Sequence, residues 1–186
     1  YDRISIKYVE LDVNYLLIIS TSAGLWSYNV GDTIKFTSID PYRIIVSGRI
    51  KHFLSAFGEH VISEEVEKAM EAATKLHNVA IREFTVAPNI NPIDMLPHHE
   101  WYIEFENFPE AMSAFTKSLD NEMINQNIYY KDLIDGKILK SLKVMSVERG
   151  GFNNYMKSVG RLGGQNKVPR LSNNRKIADK LKTINA

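Results

Sequence analysis

The chain has 186 residues, 44% of them hydrophobic, with 23 Lys plus Arg against 22 Asp plus Glu for a formal charge of +1. That length buries one ordinary core or two small ones, and the near-neutral balance supplies no global field toward nucleic acid or a membrane surface. With no cysteine there is no disulfide framework, Cys-based zinc site or thiol nucleophile, which fits a reducing, cytoplasmic setting. No apolar run approaches the roughly 20 residues of a membrane span, and the start lacks the basic-then-apolar pattern of a signal peptide.

The sequence opens without Met in alternating text, Arg3 to Val13, which reads as a strand of a larger sheet and hence as part of a longer protein. Tyr15 to Thr21, Thr33 to Ser38 and Tyr42 to Ser47 follow as short β runs. Ala23-Gly24, Gly31-Asp32 and Asp40-Pro41 separate them as turns, giving a sheet or partial barrel. The character changes at Gly48. After Phe53, Leu54 and Gly58, Ser63 is expected to cap a helix with Glu64 and Glu65 in its first turn and Val66, Ala69, Met70 and Ala73 facing inward. Val79 to Val86 and Trp101 to Phe105 alternate as strands around a Pro- and Asn-rich loop that ends in His98 and His99.

Pro109 is expected to open a second helix with Phe108, Met112, Phe115, Leu119 and Met123 on one buried face. Asp135-Gly136 is a turn, Ile138 to Val147 a strand and Phe152 to Val159 a short helix. Arg161 to Asn174 reads as a basic loop before a last helix to Lys182. The fold class is therefore α+β: a first sheet, then from about Gly48 a small sandwich of helices on an antiparallel sheet.

Two stretches carry candidate chemistry. In Gly24-Leu25-Trp26-Ser27-Tyr28-Asn29-Val30-Gly31-Asp32, a carboxylate at the mouth of a sheet can accept two hydrogen bonds from a ribose diol; a Gly-Asp pair is equally at home in a plain turn. In Gly48-Arg49-Ile50-Lys51 a flexible point is flanked by cations suited to phosphate or ribose, or is an ordinary linker with solvated charges. His98-His99-Glu100 lacks a third ligand at a usable spacing, so no metal site is expected. The tail from Arg161 to Lys182 is basic but poor in aromatics, so it lacks the stacking half of a nucleic-acid platform, and neither nucleic acid nor membrane is an expected partner.

In this order the two stretches resemble the Tyr-Arg-x-Gly-Asp and Gly-Arg-x-Asp/Lys elements of the adenylate-forming superfamily of acyl-CoA synthetases, adenylation domains and luciferases. Within it, Ala23 to Asp32 is most similar to the auxin-responsive promoter (Gretchen Hagen) family of acyl-acid amido synthetases. Gln165-Asn166-Lys167-Val168-Pro169-Arg170 resembles that family's late Gln-Tyr-Lys-x-Pro-Arg element.

The resemblance implies residues 1–47 as the end of a large nucleotide-binding domain, 48–52 as a hinge with Gly48 and pivot Lys51, and 53–186 as a mobile small domain. It implies Asp32 on the ribose of ATP, Tyr28 and Arg49 at the nucleotide, and Lys167 as the catalytic ammonium that reaches the α-phosphate. ATP with Mg would be used, a carboxylic acid activated as acyl-AMP, and the acyl group conjugated to an amino acid. Asn29 stands where the family has Arg, and Ser55-Ala56-Phe57 lacks the lysine many thioester-forming relatives carry. The phosphate loop and acyl pocket of such enzymes are absent from the 186 residues, so the implied partner is the protein's own N-terminal domain and the chain alone is expected to be inactive. An acyl-CoA ligase and a noncatalytic α+β module remain the alternative readings.

Overall fold

A computed structural model describes residues 3–49, 53–93, 95–161, 163 and 167–184. Its contacts divide the chain into two compact units, Tyr1–Lys51 and His52–Ala186.

The first unit is a three-stranded antiparallel sheet of β1 (Asn14–Ile19), β2 (Tyr28–Ile39) and β3 (Tyr42–Arg49), in the order β1-β2-β3. β2 and β3 form a hairpin closed at Asp40-Pro41, whose peptide is cis. Inward positions of β2, Ile34 and Phe36, are buried, and Phe36 meets Tyr15 and Tyr42 edge-on. The alternation of Arg3 to Val13 does not become a strand. That stretch holds a 3-10 turn, Ile6–Tyr8, and touches the sheet through one isolated bridge, Leu11 to Phe36. Its apolar residues Ile4, Ile6 and Leu11 are exposed, so no packing partner rewards the extended form.

The second unit begins with a two-stranded ribbon of β4 (Phe53–Leu54) and β5 (Val61–Ile62), then α1 (Ser63–Leu76). Val66, Ala69, Met70 and Ala73 are the buried positions of α1, as their spacing requires. The helix starts on Ser63 with Ile62 in the cap position; the Ile62 N–H donates to Glu65 Oε2 at 3.0 Å, so the carboxylate three residues on does the capping that was expected of Ser63.

β6 (Ile81–Asn89), β7 (His98–Phe105), β8 (Lys140–Val147) and β9 (Thr183–Ile184) form one sheet in that order. The sheet is antiparallel at β6/β7 and β8/β9 but parallel at β7/β8. The parallel junction is made possible by the crossover through α2 (Met112–Gln126) and α3 (Ile128–Asp135), since parallel neighbours need a long connection.

Phe115, Leu119 and Met123 of α2 pack with α1, Trp101 and Ile103 on one face. Pro109 and the exposed Phe108 precede α2 instead of belonging to it. On the other face α4 (Gly151–Ser158) supplies Phe152 and Met156, which pack with Tyr102, Val147, Ile177 and Leu181. β7 is thus buried along its whole length, including His98 and His99, which are strand residues and not loop. The expected last helix is a 3-10 turn, Ala178–Lys180, followed by β9. Among the described residues no helix is long and apolar enough to cross a membrane.

Candidate active site

In the first unit the geometry is set by a bulge in β2. Leu16 pairs with Thr33 and Ile18 with Asn29, so β2 carries extra residues over this stretch. Gly31 absorbs them at φ +83°, a conformation L side chains rarely adopt, and its N–H donates to Asn29 Oδ1 at 2.8 Å. Gly31 and Asp32 therefore lie inside one long strand, not in a turn between two: the Asn29 side chain takes the N–H that a regular ladder would use.

On the opposite edge of β2 the ladder holds, with Asp32 opposite Arg49 and Thr33 opposite Gly48. Residues of the two motif stretches are thus cross-strand neighbours, and the register shifts again just beyond them. Behind this point Ser47 Oγ donates to Asn14 Oδ1 at 2.6 Å and lies 3.2 Å from Thr33 Oγ1, a polar seam tying β1, β2 and β3 together. Asp32 and Gly48 are half-buried, and Tyr28, which opens β2 opposite Ile19, is exposed. Lys51, the side chain of Arg49, Gln165 and Asn166 lie outside the described residues.

Lys167, in the second unit, is exposed, and among the described residues it makes no hydrogen bond or ion pair. The chain immediately after it is fastened to the edge of β6. Thr85 Oγ1 donates to the Pro169 carbonyl at 2.7 Å, the Val86 N–H to Arg170 O at 2.9 Å, and the Ser172 N–H to Val86 O at 3.0 Å. Val168 is buried on the α4 face and Leu171 on the α1 and α2 face, so the strap wraps around the sheet edge. A groove of about 460 Å³ runs beside it, lined in part by Arg82, Glu104, Arg161, Gly163 and Val168.

Two arginines of the basic tail are held by carboxylates. Arg170 donates to the Glu67 and Glu83 carboxylates, and Arg175 pairs with Glu100 at 2.8 Å and donates to Tyr102 Oη at 2.9 Å. Burial would raise the Glu100 pKa, but hydrogen bonds from Asn89, Tyr102 and Arg175 and the Arg175 charge outweigh it and hold the carboxyl below its ordinary range. Burial, reinforced by the Glu100 carboxylate, pushes Tyr102 up to about 12.

No local pattern in the sequence points to the pair beneath the loop that follows β4. Glu59 is fully buried, accepting from Phe57 N at 2.8 Å, Ala56 N at 3.2 Å and His99 Nε2 at 2.9 Å. The His99 ring is stacked between Phe57 and Tyr130. Burial acts to raise the Glu59 pKa; the His99 hydrogen bond and charge, with the backbone donors, more than offset it and leave the carboxyl below its ordinary range. Beyond Tyr130 the network continues, its hydroxyl donating to Asp120 Oδ1 at 2.6 Å. Among the described residues no group of three His, Asp or Glu is arranged to hold a metal ion.

Comparison with known proteins gives two family matches: residues 64–176 to the GH3 family C-terminal domain and residues 2–49 to the GH3 family central domain. No curated protein sequence matches significantly. Among solved structures the chain is similar to GH3.15 acyl acid amido synthetase, with 20% identity and a TM-score of 0.74 over 98% of this chain and 36% of that one. It is similar too to AtGH3.15 acyl acid amido synthetase in complex with 2,4-DB, with 20% identity and a TM-score of 0.72 over 98% of this chain and 35% of that one. The chain therefore spans about a third of the length of the solved proteins whose fold it shares.

Proposed function

Because this chain belongs to the GH3 family, we propose that it is the C-terminal part of an ATP-dependent acyl acid amido synthetase: residues 1–47 end the large domain, 48–52 are the hinge, and 53–186 are the mobile small domain. The reaction has two steps. A substrate carboxylate oxygen attacks the α-phosphorus of ATP, the bond to the bridging oxygen of pyrophosphate breaks, and acyl-AMP forms. An amino acid nitrogen then attacks the acyl carbon, the bond to the AMP oxygen breaks, and the amine proton passes to solvent.

Asp32 accepts the ribose hydroxyls, Tyr28 and Arg49 flank the nucleotide, and the Lys167 ammonium meets the negative charge that builds on the nonbridging α-phosphate oxygens. Magnesium enters with the triphosphate and supplies further charge neutralisation. After adenylation the ammonium must withdraw so that the amine can approach, which gives the hinge at Gly48 and Lys51 its purpose. The 186 residues by themselves do not turn over, because the phosphate loop and acyl pocket lie elsewhere in the polypeptide.

The observation that carries this reading is the register of β2 and β3, with Asp32 directly opposite Arg49, in a chain whose exposed Lys167 stands at the third position of the family's late motif. In the full polypeptide, Lys167→Ala should lower acid-dependent pyrophosphate exchange by about 100-fold or more. Amide formation from supplied acyl-AMP should stay within about twofold. Equal loss in both half-reactions would refute the assignment.

A further inference from the structure

The strap that follows Lys167 is held by three hydrogen bonds to Thr85 and Val86 and by the burial of Val168 and Leu171. Arg170 adds a side-chain clamp to these contacts. Its guanidinium lies 4.5 Å above the centre of the Phe84 ring, one Nη donates to the Glu83 carboxylate and to Phe84 O at 3.2 Å, and Nε donates to Glu67 Oε1 at 3.2 Å. Two carboxylates from two elements, α1 and β6, thus converge on one planar fork, which a lysine cannot match with a single ammonium.

We propose that Arg170 is a positioning residue for adenylation: it pins the downstream end of the segment carrying Lys167 to α1 and β6, so that the ammonium moves about a fixed anchor. This inference rests on the reading that Lys167 reaches the α-phosphate. Only Val168 and Pro169 separate the two positions, so the Lys167 backbone stays within about 10 Å of the clamp. The clamp is partly solvent-exposed, with 30% of the Arg170 and 58% of the Glu67 side chain accessible. Exposed ion pairs contribute little to stability. Its consequence is geometric, and a 1 Å misplacement of a reacting group can cost on the order of 100-fold in rate.

The test uses Arg170→Lys and Glu83→Gln in the full polypeptide, with Lys167→Ala alongside. For the two clamp variants the kcat of pyrophosphate exchange should fall about tenfold, with KM for ATP and amide formation from supplied acyl-AMP both within about twofold of wild type and melting temperature little changed. Glu83→Gln should respond in the same direction as Arg170→Lys, since the first removes one carboxylate of the clamp and the second its planar fork. Unchanged exchange, or parallel loss in both half-reactions, overturns the inference. If Lys167→Ala itself spares exchange, the functional reading fails; if it abolishes exchange while the clamp variants are silent, only the role of Arg170 fails.

Discussion

Replacing Glu59 by Ala removes a carboxylate with no exposed surface and leaves three donors facing the gap: Ala56 N, Phe57 N and His99 Nε2. Each buried donor without a partner costs about 1–3 kcal/mol, and three are left. We expect a loss of about 4 kcal/mol, a large share of the roughly 5–15 kcal/mol that stabilises a domain. Trp101 is fully buried in the second unit, whereas Trp26 in the first is 82% exposed. In a Trp26→Phe background, urea unfolding followed by Trp101 fluorescence therefore reports the second unit. With a slope of about 2 kcal/mol per molar urea, the midpoint should fall by about 2 M.

The pH dependence has a definite sign. The Glu59 carboxyl is held below its ordinary pKa in the folded state, because the His99 and backbone contacts exceed the opposing effect of burial. On acidification the unfolded chain binds its proton first, so the stabilisation is present above about pH 5 and drains away as pH falls through the folded pKa. Glu59→Gln keeps the shape, loses the charge, and should flatten this acid limb. A Glu59→Ala cost under about 1 kcal/mol, or a midpoint that rises on acidification, would refute the claim that this pair holds the loop after β4.

Two further substitutions test the other face of the sheet. Arg175→Ala strands the nearly buried Glu100 carboxylate and should destabilise by about 3 kcal/mol in the same fluorescence assay, the loss shrinking as Glu100 protonates at low pH. Gly151→Ala should gain about 1 kcal/mol on helix propensity alone. Its new Cβ would stand 2.5 Å from Val147 Cγ1, and Val147 is only 2% exposed, so overpacking should reverse the sign to a net loss of about 1–2 kcal/mol. A thermal shift upward would show that Val147 can swing aside.

Where one face met one core, spacing was enough: every buried position of α1 is legible from its apolar period. β7 was half legible. Glu100, Tyr102 and Glu104 alternate with Trp101, Ile103 and Phe105, a pattern that suggests a wet face, yet Glu104 is buried because its carboxylate accepts from Gly150 and Phe152 at the start of α4. A polar residue that caps another element looks, in sequence, like one that faces solvent. The tail misled in the opposite sense: Ile177, Ala178 and Leu181 have helical spacing, but a 3-10 turn buries them just as well. At the candidate site, residue types and order were legible, whereas the opposition of Asp32 and Arg49 depends on a bulge, and the Glu59 to His99 contact spans 40 positions that no local pattern connects.

The two fastenings in the second unit bear on how Lys167 could move at all. The loop Ser55 to His60 is gripped from inside by Glu59, and the strap Val168 to Ser172 is stitched to β6 and clamped through Arg170; both lead back to the sheet formed by β6 and β7. Neither segment can shift without breaking buried or edge hydrogen bonds that the rest of the unit supplies. Motion of Lys167 relative to the sheet is therefore limited on its downstream side by the strap. Native-state amide exchange tests this fastening, since the amides of Phe57, Val86 and Ser172 should open only with the whole unit, and exchange of any of them through local fluctuations would refute it.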